Sequence, residues 1–395
     1  MEQHPDLDRL RQAILADPRA QAALGPLADK RDFVAAVLPL AARLGLGVTD
    51  EMLMPALRPT PAGMARWMDA PPPLTVDRPP VGWLPIHVAA EPHFPVDWAW
   101  FGDAPLTEPM FEDSIRVAMA RPLNRFCRFR TPLADLAAAA QALPVQAPRG
   151  FIFHMSRCGS TLATQMLSAD PDNLVLSEPS PFDFLLGLDR MIQIPAEIHI
   201  QVLRAMLGAL GHRRGGRAQR LFLKLDSWHT RQMPLLARAF PDVPRVYMYR
   251  EPAEVLASQV LERGIQTVPE FMPPQVYGMT GEDALLPADE YCARVLAQVC
   301  APIVENTSDT LLVNYREMPA AVWTRILPHF GAAPDAGALG LLQGAARFDS
   351  KSPGVPFAAA ERLKRETMTG ALQALADRHI GPVYSALEAL RLGRG

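Results

Sequence analysis

The chain has 395 residues, enough for two domains and a sizeable core in one of them. Hydrophobic residues make up 49% and charged residues 21%, and the formal net charge of −3 gives no global pull toward nucleic acid or an anionic membrane surface. The four cysteines form no CxxC or Cys/His cluster, and no apolar run reaches the ~18 residues of a membrane span. Composition therefore points away from a zinc site, a disulfide framework and a transmembrane helix, and a reduced, cytoplasmic protein is expected.

Residues 1–57 are expected to form a small helical unit. Leu7, Leu10, Ile14 and Leu24 fit helices broken near Pro18 and Pro26, and Phe33–Leu44 is a stronger apolar helix stopped at Gly45 and Gly47. Thr49 or Asp50 can cap a short third helix carrying Met52, Leu53 and Leu57. The runs DPRAQAAL, DKRDFVAAV and LGLGVTDEML, in that order, resemble the leader-type helical domain associated with nitrogen-fixation clusters and natural-product peptide precursors. A helical cap packed on a main domain is the alternative.

Residues 58–148 are a Pro- and Trp-rich connecting region that includes Trp67, Trp83, Trp98 and Trp100. Within it HFPVDWAW alternates apolar and polar positions, then a turn leads into a helix through Arg121. Asp97, Asp103, Glu108, Glu112 and Asp113 form an acidic group, either a metal or substrate site or helix-start chemistry on a solvated face. Arg125, Arg128 and Arg130 alternate with Phe126 and Phe129, which predicts an edge strand with one basic face. An Ala-rich helix, Leu133–Leu143, follows, and Pro144–Pro148 is a linker.

From residue 149 to the end the pattern changes to short apolar strands alternating with helices, an α/β domain with a parallel sheet flanked by helices. The strands are placed at Phe151–Phe153, Leu174–Leu176, Leu221–Lys224, Arg245–Tyr249 and Leu311–Asn314. Helices are placed at Ser160–Leu167, Ile198–Leu210, Met233–Phe240, Pro252–Leu261, Ala288–Ile303 and Met318–Phe330. Ligands of such sheets gather beyond the carboxyl ends of the strands. Those ends carry Arg157, Glu178, Lys224 with Asp226, Arg250, and Tyr315 with Arg316.

The first of these strands leads through Ser156-Arg157-Cys158-Gly159-Ser160-Thr161 into a helix whose Leu162, Met166 and Leu167 share a face. A strand, a tight Gly loop and a helix start aim backbone N–H groups and the positive end of a helix dipole at one point, where an anion, and a phosphate above all, belongs. The Walker A pattern GxxxxGK[ST] is absent, and Arg157 brings the charge from the front of the loop. The other reading is a plain turn whose Gly serves the backbone and whose Ser or Thr is an N-cap.

The fourth strand continues RVYMYREPAEVLAS, with Arg250 at its end and Ser258 two turns into a helix started by Pro252. Together with the RCGST loop this resembles the sulfotransferases that use 3′-phosphoadenosine 5′-phosphosulfate, over about residues 148–360. The resemblance implies a P-loop-like sulfotransferase fold. It implies that Arg157, Cys158, Gly159, Ser160 and Thr161 cradle the 5′-phosphosulfate, that Arg250 and Ser258 take the 3′-phosphate, and that Tyr315 packs near adenine. It also places Ser350 and Lys351, in RFDSKSPG, on a loop over the cofactor phosphates. Two departures stand out: Cys158 replaces the commoner Ser, and the Lys-x-His of the small-molecule branch is Lys224-Leu225-Asp226. Arg157 and the Glu of SEP are more similar to the tyrosylprotein and bacterial carbohydrate branches, where a Glu near this place acts as base.

By that resemblance Glu178 is the general base, Arg157 binds the 5′-phosphate, and Lys224 stabilises charge on the transferred group or the leaving oxygen. Asp226 and His229 are secondary base candidates, and His154 is read as a packed structural histidine. No metal is expected, because a sulfuryl group carries less negative charge than a γ-phosphoryl group. The expected partner is a hydroxyl-bearing carbohydrate, peptide or natural product, with no nucleic acid and no membrane span; the oligomeric state is not legible. A P-loop kinase-type phosphotransferase and a non-catalytic nucleotide- or peptide-binding protein are the alternatives.

Overall fold

A computed structural model describes residues 4–58, 81–141, 147–212, 220–307, 309–347 and 367–393. Among these residues, eight strands form a three-stranded and a five-stranded sheet, and the chain divides into two compact units. No helix of the described residues is long and apolar enough to cross a membrane. Ser350, Lys351 and Trp67 lie outside the described residues.

The first unit comprises residues 1–106, 111–146 and 179–218. Its helices Pro5–Ala16 and Pro18–Leu24 both open on a proline, whose fixed φ suits the first helical turn. Asp17 caps the second and Asp29 caps Lys30–Arg43, and Asp50–Ala56 closes the set. Strands β1 (Trp83–Val88), β2 (Val96–Trp100) and β3 (Phe129–Thr131) make an antiparallel sheet in that order. The expected strand from Arg125 to Arg130 begins later than its alternation implied: Pro122 starts a short helix, Pro122–Phe126, and pairing with β2 begins at Phe129.

Three residues of the acidic group of this region have partners of their own. Asp97 is fully buried, 3.0 Å from Arg130 Nε and 3.7 Å from Arg128 Nη2, so it neutralises the basic face of β3. Asp113 pairs with Arg116, and Glu112 accepts a hydrogen bond from Ser180 Oγ.

Residues 4–57 share the core of this unit. Gln21 accepts a 2.9 Å hydrogen bond from Trp83 Nε1, both residues being buried, and Phe33 packs edge-on against Phe126. Gln21→Ala leaves the indole N–H dry and unpaired. It is expected to lower stability by about 1–3 kcal/mol, measured by denaturant unfolding, whereas an unchanged midpoint would mean that water replaces the glutamine.

The second unit comprises residues 107–110, 147–178 and 219–395 and carries the parallel sheet. Its strands β4 (Gly150–His154), β5 (Asn173–Ser177), β6 (Arg220–Lys224), β7 (Arg245–Tyr249) and β8 (Thr310–Asn314) lie in the order β5-β6-β4-β7-β8, every pair parallel. Nearly every residue of these strands is buried, as a sheet covered on both faces requires. All five strands predicted from apolar runs are present, each within two residues of the expected bounds. The predicted helix Met318–Phe330 is broken: a 3-10 turn spans Tyr315–Glu317, and Val322–Ile326 is π-helical before Leu327–His329. Pro319 and Pro328 each lack the N–H that a continuous α ladder needs.

Strand order fixes where a ligand can sit. The chain runs from β4 out to β5, back to β6, and then across to β7 on the other side of β4. That reversal opens a crevice at the carboxyl end of β4, the position at which open α/β sheets hold ligands.

Candidate active site

The loop that fills this crevice, Met155–Gly159, is shaped by its backbone. Ser156, Arg157 and Gly159 have positive φ values of 78°, 50° and 83°. Such angles turn successive N–H groups toward one concavity. The helix Ser160–Ser168 follows, its N-cap Gly159 offering no side chain to the leading amides. Those amides, with the dipole behind them, are a ready anion site. A Cβ on Gly159 would stand 2.7 Å from the Tyr315 ring, so glycine serves both the left-handed turn and the close aromatic packing.

Register brings the other strand ends to the same edge. Ser177 of β5 lies opposite Lys224 of β6, and Glu178 N–H donates to Lys224 O at 2.8 Å. Glu178 itself has φ +53°, a left-handed conformation unusual for a residue with a side chain. Lys224 Nζ is 2.8 Å from Glu178 Oε1 and donates to Thr161 Oγ1 at 3.3 Å, with its side chain only 1% exposed. A single buried side chain thus links the carboxylate to the start of the helix Ser160–Ser168.

His154 completes this group. Its Nδ1 accepts the Ser156 backbone N–H at 3.0 Å, so the ring proton resides on Nε2, which donates to Glu178 Oε1 at 3.1 Å. Burial keeps the imidazole neutral by lowering its pKa. Burial alone would raise the Glu178 pKa, but the Lys224 charge and the His154 hydrogen bond outweigh it and hold the carboxyl well below the usual carboxylate range. Cys158 donates to Met248 O at 3.1 Å from a fully buried position, and burial pushes its thiol up to about 11. Its side chain packs inside the loop.

On the β7 side, Arg250 is buried with its guanidinium 4.1 Å from the Tyr315 ring centroid and its Nε 2.5 Å from Glu254 Oε2. Ser258 is buried on the same helix, Pro252–Leu261. Arg157 reaches back to Glu262, 2.8 Å from its carboxylate. Asp226 and His229, by contrast, form a reciprocal capping box at the start of the turn Ser227–Gln232, the local role that also suits their spacing. The sheet thus brings together Arg157, Gly159, Ser160, Thr161, Glu178, Lys224, Arg250 and Tyr315 at its carboxyl edge. Residues that sequence reading missed are Gln259 and Gln266, both donating to Ser156 Oγ at 3.0 Å. No motif marks them; only the fold brings them to the loop.

No protein-family model and no curated protein matches the sequence. The solved structures that it resembles are sulfotransferases. Among them is STF9 from Mycobacterium avium, at 14% identity and a TM-score of 0.37, covering 57% of this chain and 77% of that one. The sulfotransferase domain of the Synechococcus PCC 7002 olefin synthase matches at 13% identity and 0.35, covering 60% and 96%. A sulfotransferase from Alicyclobacillus acidocaldarius matches at 15% and 0.36, covering 62% and 96%. Likeness this distant adds no weight to any residue's role, which has to come from the site itself.

Proposed function

We propose that the protein is a sulfotransferase that moves the sulfuryl group of 3′-phosphoadenosine 5′-phosphosulfate to an acceptor hydroxyl, with Glu178 as general base. The observation that carries this reading is the buried Lys224, held between the Glu178 carboxylate and Thr161 at the mouth of an anion-cradling loop. A second basic subsite, Arg250 stacked on Tyr315, lies at the neighbouring strand end and suits an aromatic base with a phosphate beside it. The donor fits this edge through the loop amides and Arg157 on its 5′ side, and through Arg250 and Ser258 on its 3′ side. The acceptor is a carbohydrate, peptide or natural-product hydroxyl.

In the transfer a bond forms between the acceptor oxygen and sulfur as the bond from sulfur to the 5′-phosphate oxygen breaks. The acceptor proton passes to Glu178, and adenosine 3′,5′-bisphosphate leaves. Positioning and charge stabilisation supply most of the acceleration in such in-line displacements. Lys224 stabilises the leaving oxygen. When it turns from Glu178 to that oxygen, the carboxylate loses its nearest cation and its proton affinity rises, so the base strengthens as the leaving group is stabilised.

Adenosine 3′,5′-bisphosphate without added metal is expected to raise the thermal midpoint. At ~100 times its dissociation constant the ligand contributes about 2.7 kcal/mol. A shift seen only with Mg·ATP would replace the sulfotransferase by a kinase-type phosphotransferase.

A further inference from the structure

His154 lies outside the set of residues that the sequence assigns to chemistry, yet it touches both halves of the site. It is 5% exposed and ends the central strand β4, one residue from the loop. Its two ring nitrogens face different elements: Nδ1 takes the Ser156 amide and Nε2–H meets Glu178 Oε1. Each of those partners is in a left-handed backbone conformation, φ 78° at Ser156 and φ 53° at Glu178, which costs energy and persists only where neighbours enforce it. Ser156 is further gripped through its Oγ by Gln259 and Gln266.

We propose that His154 is a positioning residue that couples the anion loop to the base, its Nδ1 holding the Ser156 turn and its Nε2–H orienting the Glu178 carboxylate. This rests on the reading of Glu178 as base. The charged and titratable groups facing the pair are Lys224 on β6, Glu178 after β5, and His154 itself on β4. Lys224 and His154 both meet Oε1, which leaves Oε2 as the oxygen to receive a proton from the acceptor. An ion pair with a lysine has no strong angular preference, whereas the planar imidazole adds a directed contact without adding charge. A displacement of the loop by a bound 5′-anion is therefore transmitted through one ring to the carboxylate.

Two amide substitutions separate the two bonds. In His154→Asn the side-chain oxygen can occupy the Nδ1 place and accept the Ser156 N–H, but the side chain is too short to reach Glu178. In His154→Gln the amide NH2 can occupy the Nε2 place and donate to Glu178, while Ser156 loses its acceptor. His154→Asn is expected to keep adenosine 3′,5′-bisphosphate affinity within about twofold while turnover falls about 10–100-fold, the usual cost of losing an orienting partner. His154→Gln is expected to do the reverse, weakening the nucleotide about tenfold while turnover at saturating donor changes less, since one hydrogen bond is worth about that much. Equal effects of the two substitutions on both quantities, or no effect of either, would mean that the ring merely fills space. Histidine-selective ¹⁵N NMR on the unmodified chain gives a reading that survives any folding defect. The ring perturbed by Glu178→Gln should be neutral with its proton on Nε2, and a proton on Nδ1 overturns the assignment. If the unmodified protein neither binds the nucleotide nor transfers sulfuryl groups, the sulfotransferase reading falls; the NMR result still decides whether His154 holds Glu178.

Discussion

Glu178→Gln is expected to lower sulfuryl-transfer turnover by about 10²–10⁴-fold while leaving nucleotide affinity nearly unchanged. A hydroxyl is a poor nucleophile at neutral pH, and the glutamine keeps the shape and the hydrogen-bonding oxygen but cannot take the proton. Lys224 at 2.8 Å and His154 at 3.1 Å both keep a partner in the amide oxygen, so the site is preserved as the base is lost. The same substitution has a signature in stability. The Glu178 carboxyl is held below its usual range in the folded protein, so its contribution is present above that range and is lost as pH falls through the folded value. Glu178→Gln should therefore flatten the acid side of the stability curve. Normal turnover in Glu178→Gln, with loss in Asp226→Asn or His229→Ala instead, would move the base to the turn after β6, where those two residues now cap each other.

Arg250→Ala is expected to weaken adenosine 3′,5′-bisphosphate by about 2–5 kcal/mol, on the order of 30- to 5,000-fold, and to leave adenosine 5′-monophosphate almost untouched. The side chain is 5% exposed, its Cζ lies 4.1 Å over the Tyr315 ring, and Glu254 holds its Nε, so its charge is preorganised at the end of β7. A phosphate meeting such a group forms short, charge-assisted hydrogen bonds that a 5′-monophosphate cannot reach. Equal losses for the two nucleotides in calorimetric titrations would make Arg250 a structural partner of Glu254 and would shift the 3′ subsite elsewhere.

The parallel sheet was legible because buried strands in such sheets are short apolar runs, and each here is followed at once by a polar or charged residue. Arg157, Glu178, Lys224, Arg250 and Tyr315 were placed at or just beyond strand ends by that pattern, and the structure brings all five to one edge of the second unit. What depends on pairing between distant segments was hidden. The strand β3 starts at Phe129 because its register with β2 begins there, a fact that the alternation from Arg125 could not convey. Asp97 stood in an acidic cluster by sequence, yet its partners are Arg130 of the neighbouring strand β3 and Arg128 just before it. The link from His154 to Glu178 requires two positive-φ residues and the β5-β6-β4 order, none of which leaves a mark in composition or periodicity. The amphipathic helix Gly381–Gly393 was unread for a similar reason: Glu388, which takes hydrogen bonds from Tyr249 OH and Asn314 Nδ2, stands in an Ala- and Leu-rich run with no motif.

On the proposed reading the carboxyl edge of the parallel sheet holds a nucleotide with both a 5′- and a 3′-phosphate and needs no metal to do so. The most direct test of that reading is a pair of calorimetric titrations of the full chain in the presence of a metal chelator, with adenosine 3′,5′-bisphosphate and with ATP, the latter repeated with excess Mg²⁺. One-to-one binding of the bisphosphate without metal, at least tenfold tighter than Mg·ATP, is the result expected from the loop amides, Arg157 and Arg250 acting together. Heat with Mg·ATP and none with the bisphosphate would contradict it.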